Sequence, residues 1–284
     1  MHTHCLLCNS GSLKDLEKYK NAFLTRCTNC RFVFSRRIPT TTELIEHYKG
    51  YPRNTDISPI TIKRYHELLD SFELYRTSGN LLDIGCGDAY FLEEAKKRNW
   101  NVYGTEFTDD AVKIGMKKGI TIHKGVLNPA DYGDTKFDVI TSFEVIEHIN
   151  NPIIELDNII SILNKKGIFY FTTPNFNSLS RFMLKDKWNV IEYPEHLSYY
   201  TPQTIDTFFR GKGLKKIMLQ TTGINFSRFR ESVSQTEEKG TSNSTEQLRE
   251  KSETKLLYKM AKKSANALLT ISGLGDTIKG IYQK

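Results

Sequence analysis

No stretch of about 18 consecutive apolar residues occurs in this 284-residue chain, so no segment reads as a membrane-spanning helix. The opening Met1-His-Thr-His-Cys5 lacks the basic, apolar and small-residue regions of a secretory leader, and a soluble, cytoplasmic protein is expected. Dense basic blocks are also missing. The formal charge is +7, yet lysine and arginine are spread along the chain, so a phosphate-binding surface is permitted without being indicated. There is no internal repeat. The length allows one sizeable core and a small satellite module.

Cysteine is scarce, with five residues, and four of them are paired. Cys5-Leu-Leu-Cys8 and Cys27-Thr-Asn-Cys30 enclose 18 residues, a spacing typical of a zinc ribbon or knuckle. Each pair can bite one face of a tetrahedron, with sulfurs about 2.3 Å from the metal. Four cysteine ligands leave no open position for water, which favours a structural zinc ion over a catalytic one. One zinc on four thiolates lowers the formal charge to about +5. A module of about 35 residues buries too little apolar surface to fold alone, and zinc binding offsets the deficit. The rival reading is a disulfide pair, which requires an oxidising compartment.

Beyond this module, residues 1–38, the segment Thr41 to Gly50 reads as a short helix, with Tyr48 and Tyr51 near its end. Ile62, Tyr65, Leu68, Leu69 and Phe72 form a stripe of 3.6-residue period within Ile60 to Arg76, so 39–78 reads as a helical linker or cap. From Leu81 onward the pattern alternates. Strands are expected at 81–85, 101–106, 120–124, 137–142, 167–173, 214–221 and 276–283, with helices at 89–99, 109–118, 152–164 and 202–212. This predicts an α/β fold, a doubly wound, Rossmann-like, seven-stranded sheet with its last strand antiparallel, over 79–284. An insertion at 224–272 interrupts it. Ser234 to Ser252 has the composition of a disordered segment, and Lys255 to Ile271 resumes helical periodicity.

The most informative segment is Leu81-Leu-Asp-Ile-Gly-Cys-Gly-Asp-Ala-Tyr90, an apolar strand turning into a helix, followed 19 residues after Gly87 by Glu106 at the end of the next strand. A dinucleotide site shares this outline. Here, however, the third glycine position is Tyr90, and Asp83 and Asp88 would repel a pyrophosphate. The two carboxylates suit a ligand with sulfonium and ammonium groups, such as S-adenosylmethionine, while Glu106 can accept from both ribose hydroxyls. Cys86 reads as a small space-filler facing the cofactor, or less readily as a nucleophile.

These elements, together with Phe137-Asp-Val-Ile-Thr-Ser-Phe-Glu-Val-Ile-Glu-His-Ile149, resemble the class I S-adenosylmethionine-dependent methyltransferases over about 81–223 and again over 273–284. The resemblance implies that Asp83, Gly85 and Gly87 hold the methionine end and Glu106 the ribose. It places Phe107 and Val126 at the adenine and Phe143 and Glu144 on the inner wall. The loop Gly125-Val-Leu-Asn lacks the acid that often takes the adenine amino group, so backbone of Val126 or Leu127 would do so. Glu147 and His148 also read as helix-start residues. Tyr193-Pro-Glu195-His196, with Tyr48 and Tyr51 and the zinc module, is similar to sugar C-methyltransferases and related methyltransferases of polysaccharide and natural-product pathways. Those C-methyltransferases carry a further C-terminal domain, and its absence from this sequence favours O-methylation.

Methyl transfer is an in-line displacement that chiefly requires alignment and removal of one proton. His196 is the candidate base, Glu195 a group that orients it or binds an acceptor hydroxyl, and Tyr193 a hydrogen-bonding partner of a sugar-type small molecule. Alternatively His196 caps the helix beginning near Thr201. Two other functions stand beside this one. An RNA base methyltransferase pairs zinc with the same fold, but Ser142-Phe-Glu-Val is not an Asn-Pro-Pro-Tyr type of motif, and nucleic acid is not favoured. An inactive cofactor-binding module is the other, against which the intact Asp83, Gly85, Gly87 and Glu106 weigh.

Overall fold

The computed structural model describes residues 1–49, 57–223, 264 and 266–284. The expected strands and helices form within a few residues of their expected ends. A seven-stranded sheet is built from β4 (Asn80–Ile84), β5 (Asn101–Glu106), β6 (Thr121–Lys124), β7 (Phe137–Phe143), β8 (Leu163–Pro174), β10 (Lys215–Thr222) and β11 (Thr277–Gln283). Its order is β10-β11-β8-β7-β4-β5-β6. Neighbours from β8 to β6 are parallel, whereas β11 runs antiparallel to both β8 and β10. The chain therefore winds outward in both directions from β4 and β7, and in such sheets ligands bind beyond the carboxyl ends of those strands.

Strand alternation sorts the two faces. Leu82, Ile84, Ile140, Phe169 and Phe171 share one core with α5 (Pro152–Ile162) and α7 (Pro202–Gly211). Leu81, Val139, Ile168 and Tyr170 share the other with α2 (Pro59–Phe72) and α3 (Tyr90–Lys97). The helix starts follow from local chemistry. Ser58, Asn151 and Thr201 each accept a backbone N–H as N-caps, and each is followed by a proline, whose missing N–H costs nothing at that position. Residues 266–272 are helical. The expectation of disorder at 234–252 lies outside the described residues.

The N-terminal module is less separate than its composition suggests. β1 (Leu13–Asp15), β2 (Leu24–Cys27) and β3 (Val33–Ser35) form a sheet with β9 (Ser198–Tyr199), which comes from the chain after His196. Val33 pairs with Tyr199 and Phe34 with Ser198. Cys5, Cys27, Phe32 and Phe34 are continuous with the α5–α7 core, so the module packs as an extension of it. A two-residue strand is too short to carry a periodicity, and nothing in the sequence marked it.

Candidate functional site

The turn after β4 is shaped by sterics. Gly85 has φ +68°, and a Cβ there would sit 2.6 Å from Val145 Cγ2, so only glycine fits. At Gly87, φ +52°, a Cβ would meet nothing within 4 Å, which leaves space for a ligand to approach the backbone. Tyr90 opens α3 and carries the Lys118 ammonium 3.7 Å from its ring centroid, filling the place of the absent third glycine. Cys86 Sγ lies 2.7 Å from where a Gly104 Cβ would be, so this thiol packs onto β5, and burial pushes its pKa up.

Asp83 is buried at the end of β4 and accepts from Thr141 Oγ1 at 2.7 Å. Burial pushes its carboxyl up to about 7, Thr141 opposes that, and the Glu106 charge adds to it. A buried acid so poised is suited to a cationic group. Glu106 is fixed by its neighbours: Oε2 accepts from Gly87 N–H at 3.1 Å, and Oε1 from the N–H and hydroxyl of Thr108, both at 2.8 Å. Phe107 and Val126 stand exposed on the rim. The Leu127 carbonyl accepts from Asn158 Nδ2 of α5 at 3.2 Å. Phe143 packs between Phe91 and Tyr170. Glu144 adopts φ +53°, a left-handed conformation that a non-glycine residue holds only when its surroundings impose it; here Thr172 accepts its N–H through both carbonyl and hydroxyl. An open glycine, a buried acid, an anchored second acid and an exposed aromatic rim fit S-adenosylmethionine.

Around the 192–196 segment the structure gathers residues distant in the chain. α1 (Thr41–Tyr48) is closed at its start by a reciprocal Thr40–Glu43 cap. Its last two residues reach different targets. Tyr48 lies beside Phe107, ring centroids 5.8 Å apart, and its hydroxyl meets His148 Nδ1 at 3.3 Å; His47 Nε2 is 3.3 Å from Glu195 Oε2. His148 Nε2 faces the Glu144 carbonyl at 3.1 Å. That carbonyl can only accept, so Nε2 carries the proton and Tyr48 donates to Nδ1. Burial, then the neighbouring His196, hold His148 down at about 4. Tyr51 lies outside the described residues.

His196 packs its ring against His148, centroids 4.8 Å apart, and its Nδ1 meets the Val190 carbonyl at 2.7 Å. The same reasoning puts the proton on Nδ1 and the basic lone pair on Nε2. Val190, then, is the group that fixes this ring's tautomer, and the cap of α7 is Thr201 with Thr204. Tyr193 is farther into the module, edge-on to Phe23 and beneath the Arg37 guanidinium at 5.2 Å. Glu147 is buried and accepts from Thr173 Oγ1 at 2.9 Å. His47 was missed by sequence reasoning and His148 was left as a helix-start residue; the Glu144-Val-Ile-Glu-His148 run was a signal for His148 alone.

The four paired cysteines converge. Cys5 and Cys30 Sγ are 3.4 Å apart and Cys8 and Cys27 Sγ 3.6 Å apart. A disulfide requires about 2.05 Å, whereas the edge of a tetrahedron with 2.3 Å bonds is about 3.8 Å. The donors fit a tetrahedral zinc ion. Among the described residues, Glu147, His148 and His196 also bring ligand atoms within 4.8 Å of one another, as do His47, Glu192 and Glu195.

A methyltransferase domain family model matches residues 59–219. The ubiquinone biosynthesis O-methyltransferase of Hydrogenovibrio crunogenus is 23% identical over 229 residues, 76% of this chain and 89% of that protein. That of Actinobacillus pleuropneumoniae serotype 7 is 30% identical over 115 residues, 37% of this chain, and the match spans about half (49%) of the relative's length. Among solved structures, an S-adenosylmethionine-dependent methyltransferase from Archaeoglobus fulgidus superposes with a TM-score of 0.54 at 17% identity, covering 87% of this chain and all (100%) of that one. Phosphoethanolamine N-methyltransferase 2 of Haemonchus contortus, in complex with S-adenosyl-L-methionine, gives 0.55 at 17% identity, covering 89% and 61%.

Proposed function

Since the chain belongs to the methyltransferase domain family, we propose that it methylates a hydroxyl group of a small molecule, most specifically a sugar or sugar nucleotide of polysaccharide or natural-product biosynthesis. S-adenosylmethionine supplies the electrophilic methyl group on a positively charged sulfur. Asp83 binds the cationic methionine end and Glu106 the ribose hydroxyls, while Phe107 and Val126 flank the base. His196 is the general base: Nε2 would take the acceptor's hydroxyl proton as the oxygen displaces the sulfur from the methyl carbon, the sulfur leaving with the bonding pair as a neutral thioether. Tyr48 and Glu195 hold the acceptor, and Tyr193 supports the loop that presents them. Zinc on Cys5, Cys8, Cys27 and Cys30 holds the module whose β3 edge pairs with β9, two residues beyond His196.

The observation that carries this reading is the His196 ring, its tautomer set by Val190, beside His148 at the same end of the sheet as Asp83 and Glu106. Acceptor oxygen is favoured because the named relatives are O-methyltransferases. Their names also support a second acceptor class, an intermediate of ubiquinone biosynthesis. The test offers sugar nucleotides and such intermediates in parallel with labelled cofactor, and repeats the productive reaction with His196→Asn. General-base loss costs about 10²- to 10⁴-fold in turnover with cofactor affinity nearly unchanged. Full turnover in a well-folded variant would remove His196 from the chemistry. Methylation of the ubiquinone-type acceptor alone would remove the sugar assignment.

A further inference from the structure

We propose that His47, Glu192 and Glu195 form a binding site for one divalent cation that pins α1 against the 192–196 segment. Each side chain offers one ligand atom, and the three atoms lie within 4.8 Å of one another. Around an ion with bonds of about 2.0–2.2 Å, adjacent ligand atoms are about 3.0–3.5 Å apart. The His47 Nε2 to Glu195 Oε2 distance of 3.3 Å already spans one such edge. Glu192 is exposed, so a change of rotamer completes the third position. The main chain prepares this arrangement, since the His196 N–H donates to the Glu192 carbonyl at 2.8 Å and the resulting turn puts Glu192 and Glu195 on one side.

The donor set is specific in kind. Two carboxylates this close disfavour each other, and a divalent cation held between them and the imidazole relieves that repulsion. One nitrogen and two oxygens suit zinc or manganese(II), unlike the thiolate set of Cys5, Cys8, Cys27 and Cys30. Because the adjacent Tyr48 is hydrogen-bonded to His148, His47 reaches the site from a helix end already held in place. The ion would hold α1 down, whatever the acceptor.

Manganese(II) is the probe, because it does not compete for thiolates that hold zinc. Electron paramagnetic resonance on the full, zinc-loaded chain should detect about one bound manganese(II) per chain. Affinity should fall about tenfold or more in Glu192→Gln and in His47→Gln, and manganese should slow amide exchange along α1 in the parent alone. Circular dichroism checks that both variants are folded; Glu192 is exposed and its replacement leaves the packing intact. Three results would overturn the proposal: no binding at millimolar manganese, unchanged binding in both variants, or loss in Glu147→Gln with retention in Glu192→Gln. The last would put the ion on Glu147, His148 and His196.

Discussion

Asp83, Gly87 and Glu106 come from one strand, one turn and the next strand, with Thr141 of β7 as a partner 58 residues away, whereas the contacts around His148 and His196 join residues 100 and 148 apart. In the first, the residue types that the turn needs fall at short, fixed spacings. In the second, α1, the 146–148 turn and the 192–196 loop meet only because the module and the sheet hold them. Local order shapes the proposed cofactor site. Long-range docking shapes the proposed acceptor site.

Removing zinc should affect the second region most. Apparent zinc binding contributes roughly 10–16 kcal/mol in small modules, so a strong chelator should unfold β1, β2 and β3 and release β9. Hydrogen exchange should then show lost protection at 13–35 and 196–200 while β4 to β7 keep theirs. Equal loss across the seven-stranded sheet would mean that the two regions are one cooperative unit.

Glu106→Ala strikes the first region alone. Hydrogen bonds to a charged group are worth roughly 1.5–3 kcal/mol, so calorimetry should show cofactor affinity lower by about tenfold or more, with the fold of β9 undisturbed. A smaller effect of pH should accompany it. With Asp83 raised to about 7 by burial, Thr141 and Tyr65 beside it and Glu106 adding negative charge, the free protein carries a proton there in mild acid. A cation binds only the ionised form. Cofactor affinity should therefore fall as the pH drops below about 7 and be level above it, with proton release on binding near neutrality. Calorimetry in buffers of different ionisation enthalpy measures that release, and a flat profile would remove Asp83 as the partner of the cationic end. The smallest expected effect is that of Tyr48→Phe, which deletes one hydrogen bond to a neutral imidazole. About 0.5–1.5 kcal/mol corresponds to a few-fold loss in kcat/KM, with cofactor affinity unchanged.

What could be read in advance follows the same division. Asp83, Gly85, Gly87 and Glu106 were legible because a tight turn and an acid at the end of a strand impose residue types at set intervals. Cys5, Cys8, Cys27 and Cys30 were legible because metal geometry does the same. His196 was visible as part of Tyr-Pro-Glu-His, but its partner was not, since a backbone carbonyl such as that of Val190 leaves no mark in sequence. The burial that depresses His148, the left-handed Glu144 and the pairing of β3 with β9 left none either.

By itself, then, the sequence determined the alternation of strands and helices, the glycine turn with its two acids and the four-sulfur cluster. Each depends on periodicity, sterics or ligand spacing within a few dozen residues. Only the tertiary structure decided that His148 stays neutral, that Val190 sets the protonation of His196 and that the module pairs through β3 with β9, because burial, hydrogen-bond direction and strand pairing depend on which distant atoms arrive at the same place.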